Sequence, residues 1–519
     1  MKKLIEIAKY ACVFTVSAAL LLMLSVATEF IDKDAMKANM LSSAKTMCEN
    51  TAGVELWQGV AASKLDFYAD CISLNIAWHT DREHPFASAM WSSYSVFRDP
   101  ADYYGVNYDL YDTVSGGLEA NTQYLRYWHG SAVFIRLFHL FTDITGMYAI
   151  AAFILLILFI LLMVSMWKLG MKGEAAGLAL ASVMAAVWFV PLCLEYYWVF
   201  PIAFGAALLA LNRGHKGRWE LIPALFMVSG ILTNYLDFLT TEILTLLISL
   251  LLLLALSGRD TKQLSRHEGF RASKVLPGGG TRRGASRAGQ EGFELSKKFP
   301  DAGSGLGTMQ AGQKGIGQGK RLSDAGAGQD KKLSGRKNFG QGKKLPGARK
   351  EQGRSLTPAS LSLKACILWG IGYLGMWVMK WVIASAILGE NALPYVTEHI
   401  AQRTGLYGDV AGNPLSAIFV NLITIFPAGL GDMGAIFCVI ALIVLGSIWF
   451  IYKKKSIRRE YVITYAVAGL MPYLRYAVLN DHSFRHFFFT YRAQMATVLA
   501  LCLITLEVAD LKFFKRKVR

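Results

Sequence analysis

The amino-acid sequence predicts an all-α fold: a polytopic transmembrane bundle of about 10 crossings, with a large helical extracytoplasmic loop after the first helix and a disordered cytosolic loop. Three observations favour this class. Hydrophobic residues make up 54% of the 519 positions, they gather into blocks, and Lys and Arg fall almost only in every second gap between blocks. A hydrocarbon layer about 30 Å thick is crossed by roughly 20 apolar helical residues, a length that a soluble helical protein does not require.

The apolar blocks give the predicted crossings. The first is longer than the roughly 7 to 15 apolar residues of a signal-peptide core, so we expect it to be a retained anchor and not a cleaved segment. A short polar and aromatic break, Glu195 to Trp198, separates the third block from the fourth and predicts a tight hairpin. In chain order the blocks are 4–28, 147–167, 175–192, 199–211, 221–235, 239–256, 363–388, 434–452, 461–479 and 487–506.

Basic residues in short loops predict the orientation, because cytoplasmic flanks retain Lys and Arg. Lys2 and Lys3 precede the first block, and five of the last eight residues are Lys or Arg. We therefore expect a multi-pass protein of the cytoplasmic (plasma) membrane with both termini in the cytoplasm. The predicted regions are a first transmembrane helix at 1–28, an extracytoplasmic loop region at 29–146, helices 2–6 at 147–257, a disordered basic cytosolic linker at 258–361, helices 7–10 with outer loops at 362–511, and a basic cytosolic tail at 512–519.

The net charge of +17 belongs mainly to the linker. Residues 258–360 contain 22 Lys and Arg against 8 Asp and Glu, so they account for +14 of the total. The linker is poor in apolar residues, which predicts disorder, and its charge favours contact with anionic lipid headgroups of the bilayer. Aromatic residues that stack on bases are nearly absent from it, so no nucleic-acid partner is expected.

The loop region 29–146 carries the first candidate site. Asp66 and Asp70 are four residues apart, a spacing that on a helix places both carboxylates on one face. Such a pair suits a general base or a divalent-cation ligand, and its alternative is a solvated helix face. His129 follows a run rich in Tyr and Trp, whose rings either stack on sugars or form an interfacial belt. A disulfide between Cys48 and Cys71 is left open.

Basic residues also gather near the predicted outer ends of the later helices, where the orientation rule disfavours them. A cation beside hydrocarbon usually faces a cavity, a partner or an anion, and outer-leaflet phosphate is the natural anion here. Snorkelling toward headgroups is the alternative for any one of them. The candidate phosphate-binding residues are Lys380, Arg475, His482, Arg485, His486 and Arg492, and the acidic residues at neighbouring predicted outer turns are Glu195, Asp237 and Glu242.

With an acidic pair early in the first outer loop and basic residues at the ends of later helices, the arrangement resembles the GT-C superfamily of integral-membrane glycosyltransferases. The resemblance implies a polyprenyl-phosphate sugar donor, a glycan, lipid or protein acceptor, and a catalytic carboxylate matching Asp66 or Asp70. It implies donor-phosphate contacts at positions such as Arg475, Arg485 and Arg492. No cofactor is firmly indicated, and a divalent cation stays an open alternative. The competing hypotheses are a transporter or lipid flippase and a non-catalytic envelope assembly protein.

Overall fold

The computed structural model describes residues 1–99, 102, 105–274, 357–389, 391–406 and 412–510. Two compact units are distinguished, Met1–Phe270 with Ser355–Arg519, and Arg271–Arg354. Of the second unit only residues 271–274 are described. The predicted linker residues 275–356 and the predicted tail 512–519 lie outside the described residues.

The described chain is overwhelmingly helical. Before the linker the helices are α1 Lys2–Thr28, α2 Lys33–Cys48, α3 Phe67–Trp78, α4 Pro85–Trp91, α5 Gly105–Gly116, α6 Ser131–His139, α7 Ile144–Lys168, α8 Lys172–Met184, α9 Leu194–Tyr197, α10 Val199–His215, α11 Ile222–Leu236 and α12 Leu244–Lys274. After it they are α13 Pro358–Leu388, α14 Leu393–Arg403, α15 Pro414–Thr424, α16 Asp432–Ile451, α17 Arg459–Val478, α18 Asn480–Arg485, α19 Phe487–Thr490 and α20 Met495–Val508.

Two short antiparallel strand pairs lie in the loop region that follows α1. Strand β1, Gly53–Glu55, pairs with β2, Lys64–Asp66, and β3, Ser93–Tyr94, pairs with β4, Thr122–Gln123. In the first pair Gly53 lies opposite Asp66. The pairing fixes the backbone of Asp66 immediately before α3 begins.

Among the described residues, seven helices or helix pairs are long and apolar enough to cross a membrane by length and composition. Many apolar side chains of α7 and most of those of α16 are exposed: Leu156 is 55% exposed, Ile443 is 63% exposed and Phe450 is 87% exposed. Helices with this exposure are stable in hydrocarbon and costly in water. The chain therefore has the features of a multi-pass membrane protein. The seven segments are Lys3–Thr28, Ile144–Lys168, Leu194–His215, Trp219–Leu236, Pro358–Ile387, Asp432–Ile451 and Phe487–Val508.

Three predicted blocks differ from these seven segments. Block 175–192 is not one helix, because α8 ends at Met184 and Ala186 has a positive φ of 48°. Block 239–256 starts with a turn, so that its apolar helix, Leu244–Arg259, is shorter than the others. Block 461–479 coincides with α17, which has 20 residues but contains Pro472 and Arg475. Helix α12 also continues past 258 to Lys274, into the first part of the predicted linker, where no proline interrupts it.

Helices α11 and α13 are in backbone contact through glycine. A Cβ atom added to Gly230 would lie 2.3 Å from the carbonyl oxygen of Trp369, and one added to Gly372 would lie 2.3 Å from that of Met227. Small residues permit this close approach of two apolar helices. The contact holds α13 beside the end of α11, where the candidate site lies.

A buried ion pair joins the loop region to the end of α1. Arg136 on α6 donates to Glu29 Oε1 at 2.6 Å, to the carbonyl oxygen of Ala77 at 2.9 Å and to that of His79 at 3.2 Å. Because the guanidinium has several acceptors besides Glu29, its burial is compensated. The contacts hold α3 and α6 against α1 and so fix the position of Asp66 and Asp70.

Cys48 and Cys71 are free thiols. Each contacts Asn107, Cys48 through the backbone oxygen at 3.2 Å and Cys71 through the side-chain oxygen at 3.3 Å. The disulfide left open by the sequence is not formed in this structure.

Candidate functional site

A cavity of about 280 Å³ lies where α3, the loop before α6, α9, α14 and α18 meet. It is called the polar cavity below, because carboxyl, guanidinium, imidazole and phenol groups line it. Five of the residues selected from the sequence contribute to its wall: Asp66, His129, Glu195, His482 and His486. Residues that are far apart in the sequence thus line the same cavity.

Asp66 caps the N-terminus of α3. Its carboxylate accepts a hydrogen bond of 3.2 Å from the backbone N–H of Ala69, and only 6% of the residue is exposed. Burial raises the pKa of the Asp66 carboxyl, although the N–H of Ala69 and the nearby Lys64 act in the opposite direction. A buried carboxylate with a raised pKa is well suited to take a proton from a substrate hydroxyl.

Glu195 on α9 faces Asp66 across the polar cavity. The two carboxyl groups are within hydrogen-bond reach of each other, and Glu195 Oε2 has no partner among the described residues. A hydrogen bond between two carboxyl groups requires a proton on one of them. Two carboxylates this close repel each other when both are ionised.

Asp70 points away from the polar cavity. It accepts hydrogen bonds from Tyr148 Oη at 2.6 Å, from the backbone N–H of Leu194 at 2.9 Å and from that of Glu195 at 3.1 Å. Burial raises its pKa to about 6, despite the bond from Tyr148. The expected stacking of both aspartates on one helical face is wrong, because Asp66 precedes α3 and Asp70 lies within it. Asp70 orients α9 and, through it, Glu195.

Two arginines that the sequence analysis did not select lie at the polar cavity, Arg126 before α6 and Arg403 at the end of α14. Arg126 donates to Tyr124 Oη at 2.8 Å and to His399 Nδ1 at 3.2 Å, and its buried Nε has no partner among the described residues. Arg403 donates to His486 Nε2 at 3.3 Å. Neither guanidinium is paired with a carboxylate in the described part of the chain. Both charges are thus available to an anion.

Burial disfavours protonation of the three histidines that line the polar cavity. Burial lowers the pKa of His486 to about 3, with Arg403 acting in the same direction, and burial also lowers the pKa values of His129 and His482. Nδ1 of His129 and Nδ1 of His482 are buried without a partner among the described residues. His129 also has a positive φ of 52°. Unpaired buried polar atoms and a non-glycine residue with a positive φ both cost free energy. Such features concentrate at binding sites.

The remaining predicted phosphate-binding residues do not line the polar cavity. Arg485 contacts Asp481 at 3.0 Å, and Lys380 donates to the carbonyl oxygen of Met90 at 2.5 Å. Arg492 is fully buried, donates to the carbonyl oxygen of Ala62 at 3.0 Å and is stacked against Tyr196. Because they lie outside the polar cavity, these cations are not placed to bind an anion there.

Arg475 forms a buried ion pair with Glu242. Its Nε lies 3.1 Å from Glu242 Oε1, and its other nitrogens donate to Ser483 Oγ and to the carbonyl oxygens of Leu239 and Thr240. The guanidinium of Arg475 therefore binds the turn between α11 and α12. Asp237 in the same turn accepts hydrogen bonds from the N–H and hydroxyl of Thr240 and does not line the polar cavity.

A second cavity of about 380 Å³ adjoins the polar one and is almost wholly apolar. Arg126, Tyr127 and Arg403 line both cavities, so the two meet at the arginines. One wall of this apolar cavity is a ladder of rings on α13, in which Tyr373 lies 6.0 Å from Trp377 and Trp377 lies 5.3 Å from Trp381. Arg475 and Glu242 also reach its wall.

The geometry places the buried carboxyl group of Asp66 in one cavity with the guanidinium groups of Arg126 and Arg403, and an almost wholly apolar cavity adjoins it at the two arginines. Within the described residues, no group of three or more His, Cys, Asp or Glu side chains is placed to hold a metal ion. Comparisons of the chain with protein-family models, with curated proteins and with solved structures give no match.

Proposed function

We propose that this chain is an integral-membrane glycosyltransferase of GT-C type, which transfers a sugar from a polyprenyl-phosphate donor to an acceptor at the extracytoplasmic face of the plasma membrane. One observation carries the proposal: the polar cavity that contains Asp66 meets the apolar cavity at Arg126 and Arg403. A donor of this class has the same three parts in the same order, since a sugar is joined through a phosphate to a hydrocarbon chain.

The donor phosphate binds between Arg126 and Arg403. Guanidinium groups bind phosphate oxygens through charge-assisted hydrogen bonds, and low dielectric surroundings strengthen them. The polyprenyl chain then extends into the apolar cavity along Trp377 and Trp381, and the sugar lies in the polar cavity among Tyr and His side chains. Arg475, Arg485 and Arg492, which the family resemblance assigned to the phosphate, have structural roles in this proposal.

Asp66 acts as the general base. Its carboxylate takes the proton of the acceptor hydroxyl, the acceptor oxygen forms a bond to the anomeric carbon, and the bond from that carbon to the phosphate oxygen breaks. The electron pair of the broken bond stays on the polyprenyl phosphate. Arg126 and Arg403 stabilise the charge that develops there. Glu195 holds Asp66 in place through the hydrogen bond between the two carboxyl groups.

In this proposal the chain crosses the membrane ten times, with both termini in the cytoplasm. Seven crossings are the apolar segments described above, and the other three are α8 with the turn that follows it, the apolar part of α12, and α17. Basic flanks such as Lys2, Lys3 and Lys453 support this orientation. The polar cavity then lies on the extracytoplasmic side, where lipid-linked sugars serve as donors because nucleotide sugars are absent.

The test is a transfer assay with purified protein in lipid vesicles. Radiolabelled polyprenyl-phosphate hexose and pentose donors are incubated with a membrane extract as the source of acceptor, and release of polyprenyl phosphate is followed. The wild type should release it, and Asp66→Asn should lower the rate by about 10²-fold or more.

Asp32→Asn is the matched control, because Asp32 is also an N-cap whose carboxylate accepts from a backbone N–H, at 3.3 Å from Asp34. Asn retains the cap at both positions. The control should keep full activity. Movement of donors across the vesicle membrane without any release of polyprenyl phosphate would instead favour a flippase and overturn the proposal.

A further inference from the structure

A third cavity, called the lateral cleft, lies on the other side of α9 from the polar cavity. Its volume is about 430 Å³, and its walls come from α6, α7, α10 and α11. None of its lining side chains, all of which are described, carries a charge. Ile154 on α7 and Leu209 on α10 line it and are 39% and 47% exposed, so the cleft opens toward the surface that faces hydrocarbon.

One short segment separates the lateral cleft from the polar cavity. Leu194, Tyr197 and Trp198 line the cleft, whereas Glu195, between them in sequence, lines the polar cavity. The end of α11 divides the two in the same way, with Leu236 in the cleft and Phe238 in the polar cavity. A molecule in the lateral cleft is therefore one residue layer from the carboxyl pair.

Two polar groups at this end of the cleft lack partners. Oη of Tyr197 and Nε1 of Trp198 are buried and form no hydrogen bond with any described residue. A buried donor without an acceptor is unfavourable, and a ligand that carries an oxygen atom can supply the acceptor. The absence of any cation in the wall disfavours a phosphate and favours an uncharged head with hydroxyl or ester oxygens.

We infer that the lateral cleft binds the hydrocarbon chain of the acceptor, a bilayer lipid with an uncharged, hydroxyl-bearing head. This inference rests on the proposed function, because only a transferase needs an acceptor. The donor and acceptor then enter from the bilayer on opposite sides of the polar cavity, the donor through the apolar cavity and the acceptor through the cleft. The head of the acceptor extends past α9 so that its hydroxyl reaches Asp66.

Gly205 on α10 provides a direct test. It lines the cleft, and an added Cβ atom would meet no heavy atom within 4 Å, so Gly205→Phe fills the cleft without a clash at Cβ. Gly370 on α13 is the matched control, because its Cβ position is also open and it lines none of the three cavities.

The first measurement is photolabelling of the full-length protein in phosphatidylcholine nanodiscs by a diacylglycerol with a diazirine in one chain, followed by peptide mapping. Labelling of α7 and α10 should fall by at least about fivefold in Gly205→Phe and stay unchanged in Gly370→Phe. Equal labelling in both variants overturns the cleft as a binding site. Equal labelling by a matched diazirine phosphatidylcholine overturns the preference for an uncharged head.

The second measurement separates this inference from the proposed function. With a radiolabelled polyprenyl-phosphate sugar donor, label should move into a second lipid, and Gly205→Phe should block that transfer. Label that passes only into water-soluble product overturns the lipid acceptor while the transferase stands. A failure of the transferase itself appears as no release of polyprenyl phosphate by the wild type, a result that leaves the photolabelling to decide lipid binding.

Discussion

Asp66 and Glu195 both line the polar cavity and their carboxyl groups interact, although 129 positions separate the two residues in sequence. The contact depends on Asp70, whose carboxylate holds the backbone N–H groups at the start of α9. Two carboxylates close in sequence thus have different tasks. Asp66 lines the polar cavity, whereas Asp70 holds the helix that carries Glu195.

Removal of the Glu195 carboxyl should shift the pH dependence of transfer. The hydrogen bond from Glu195 lowers the pKa of Asp66 and so opposes the larger effect of burial, which raises it. In Glu195→Ala the pKa of Asp66 rises further, and because the base must be ionised, the acid limb of the pH–rate profile moves to higher pH. Glu195→Gln retains an N–H donor and should shift the limb less. A limb that stays in place or moves to lower pH in Glu195→Ala contradicts this role.

Replacement of Asp70 should affect stability more than chemistry. Asp70→Asn puts an amide N–H₂ where Asp70 now accepts from Tyr148 or from the backbone of α9, so a buried donor loses its acceptor at a cost of about 1–3 kcal/mol. We expect a lower midpoint of thermal unfolding in detergent and substantial transfer activity per folded molecule. If Asp70→Asn is as stable as the wild type and as inactive as Asp66→Asn, Asp70 is the catalytic residue.

Neutralisation of the two cavity arginines should weaken donor binding. Arg126→Gln and Arg403→Gln each remove a charged donor from the junction of the two cavities, where one charge-assisted hydrogen bond is worth about 1.5–3 kcal/mol, equivalent to roughly 10- to 100-fold in the donor KM. Arg485→Gln is the control, since Arg485 is bound to Asp481 and lines neither cavity. If Arg485→Gln raises the donor KM more than Arg126→Gln and Arg403→Gln do, the phosphate does not bind at the junction of the two cavities.

The sequence indicated which residue types form the site, but only partly which individual residues do so. Asp66 was selected for its spacing from Asp70, and His129 for the aromatic run that precedes it. Glu195, His482 and His486 were selected for their positions at predicted outer turns. Arg126 was missed although it lies in the aromatic run that ends at His129, and Arg403 was missed because α14 has no charge cluster.

The fold was more predictable than the roles of the basic residues, for a physical reason. Crossings depend on local apolar length, which a sequence displays directly. The availability of an arginine depends on whether the fold brings an acceptor to it, as Ala62 is brought to Arg492 over a separation of 430 positions. The helix break at Ala186 was likewise not predictable from the sequence. Its positive φ occurs in a run of apolar residues that has no glycine at that point.

The ion pair between Arg475 and Glu242 should behave as one unit in unfolding. Arg475→Met leaves the buried carboxyl group of Glu242 without its ion-pair partner, and loss of one partner of a buried pair costs about 3–5 kcal/mol. Glu242→Gln leaves the arginine charged and should also destabilise. In the double variant no charge remains, so its loss of stability should be smaller than the sum of the two single losses.

Arg459→Met, an exposed change at the start of the same helix, should leave the midpoint of thermal unfolding within error of the wild type. The measurement is thermal unfolding in detergent for all four variants, and strictly additive losses would mean that Arg475 is held by the carbonyl oxygens of Leu239 and Thr240 and not by Glu242.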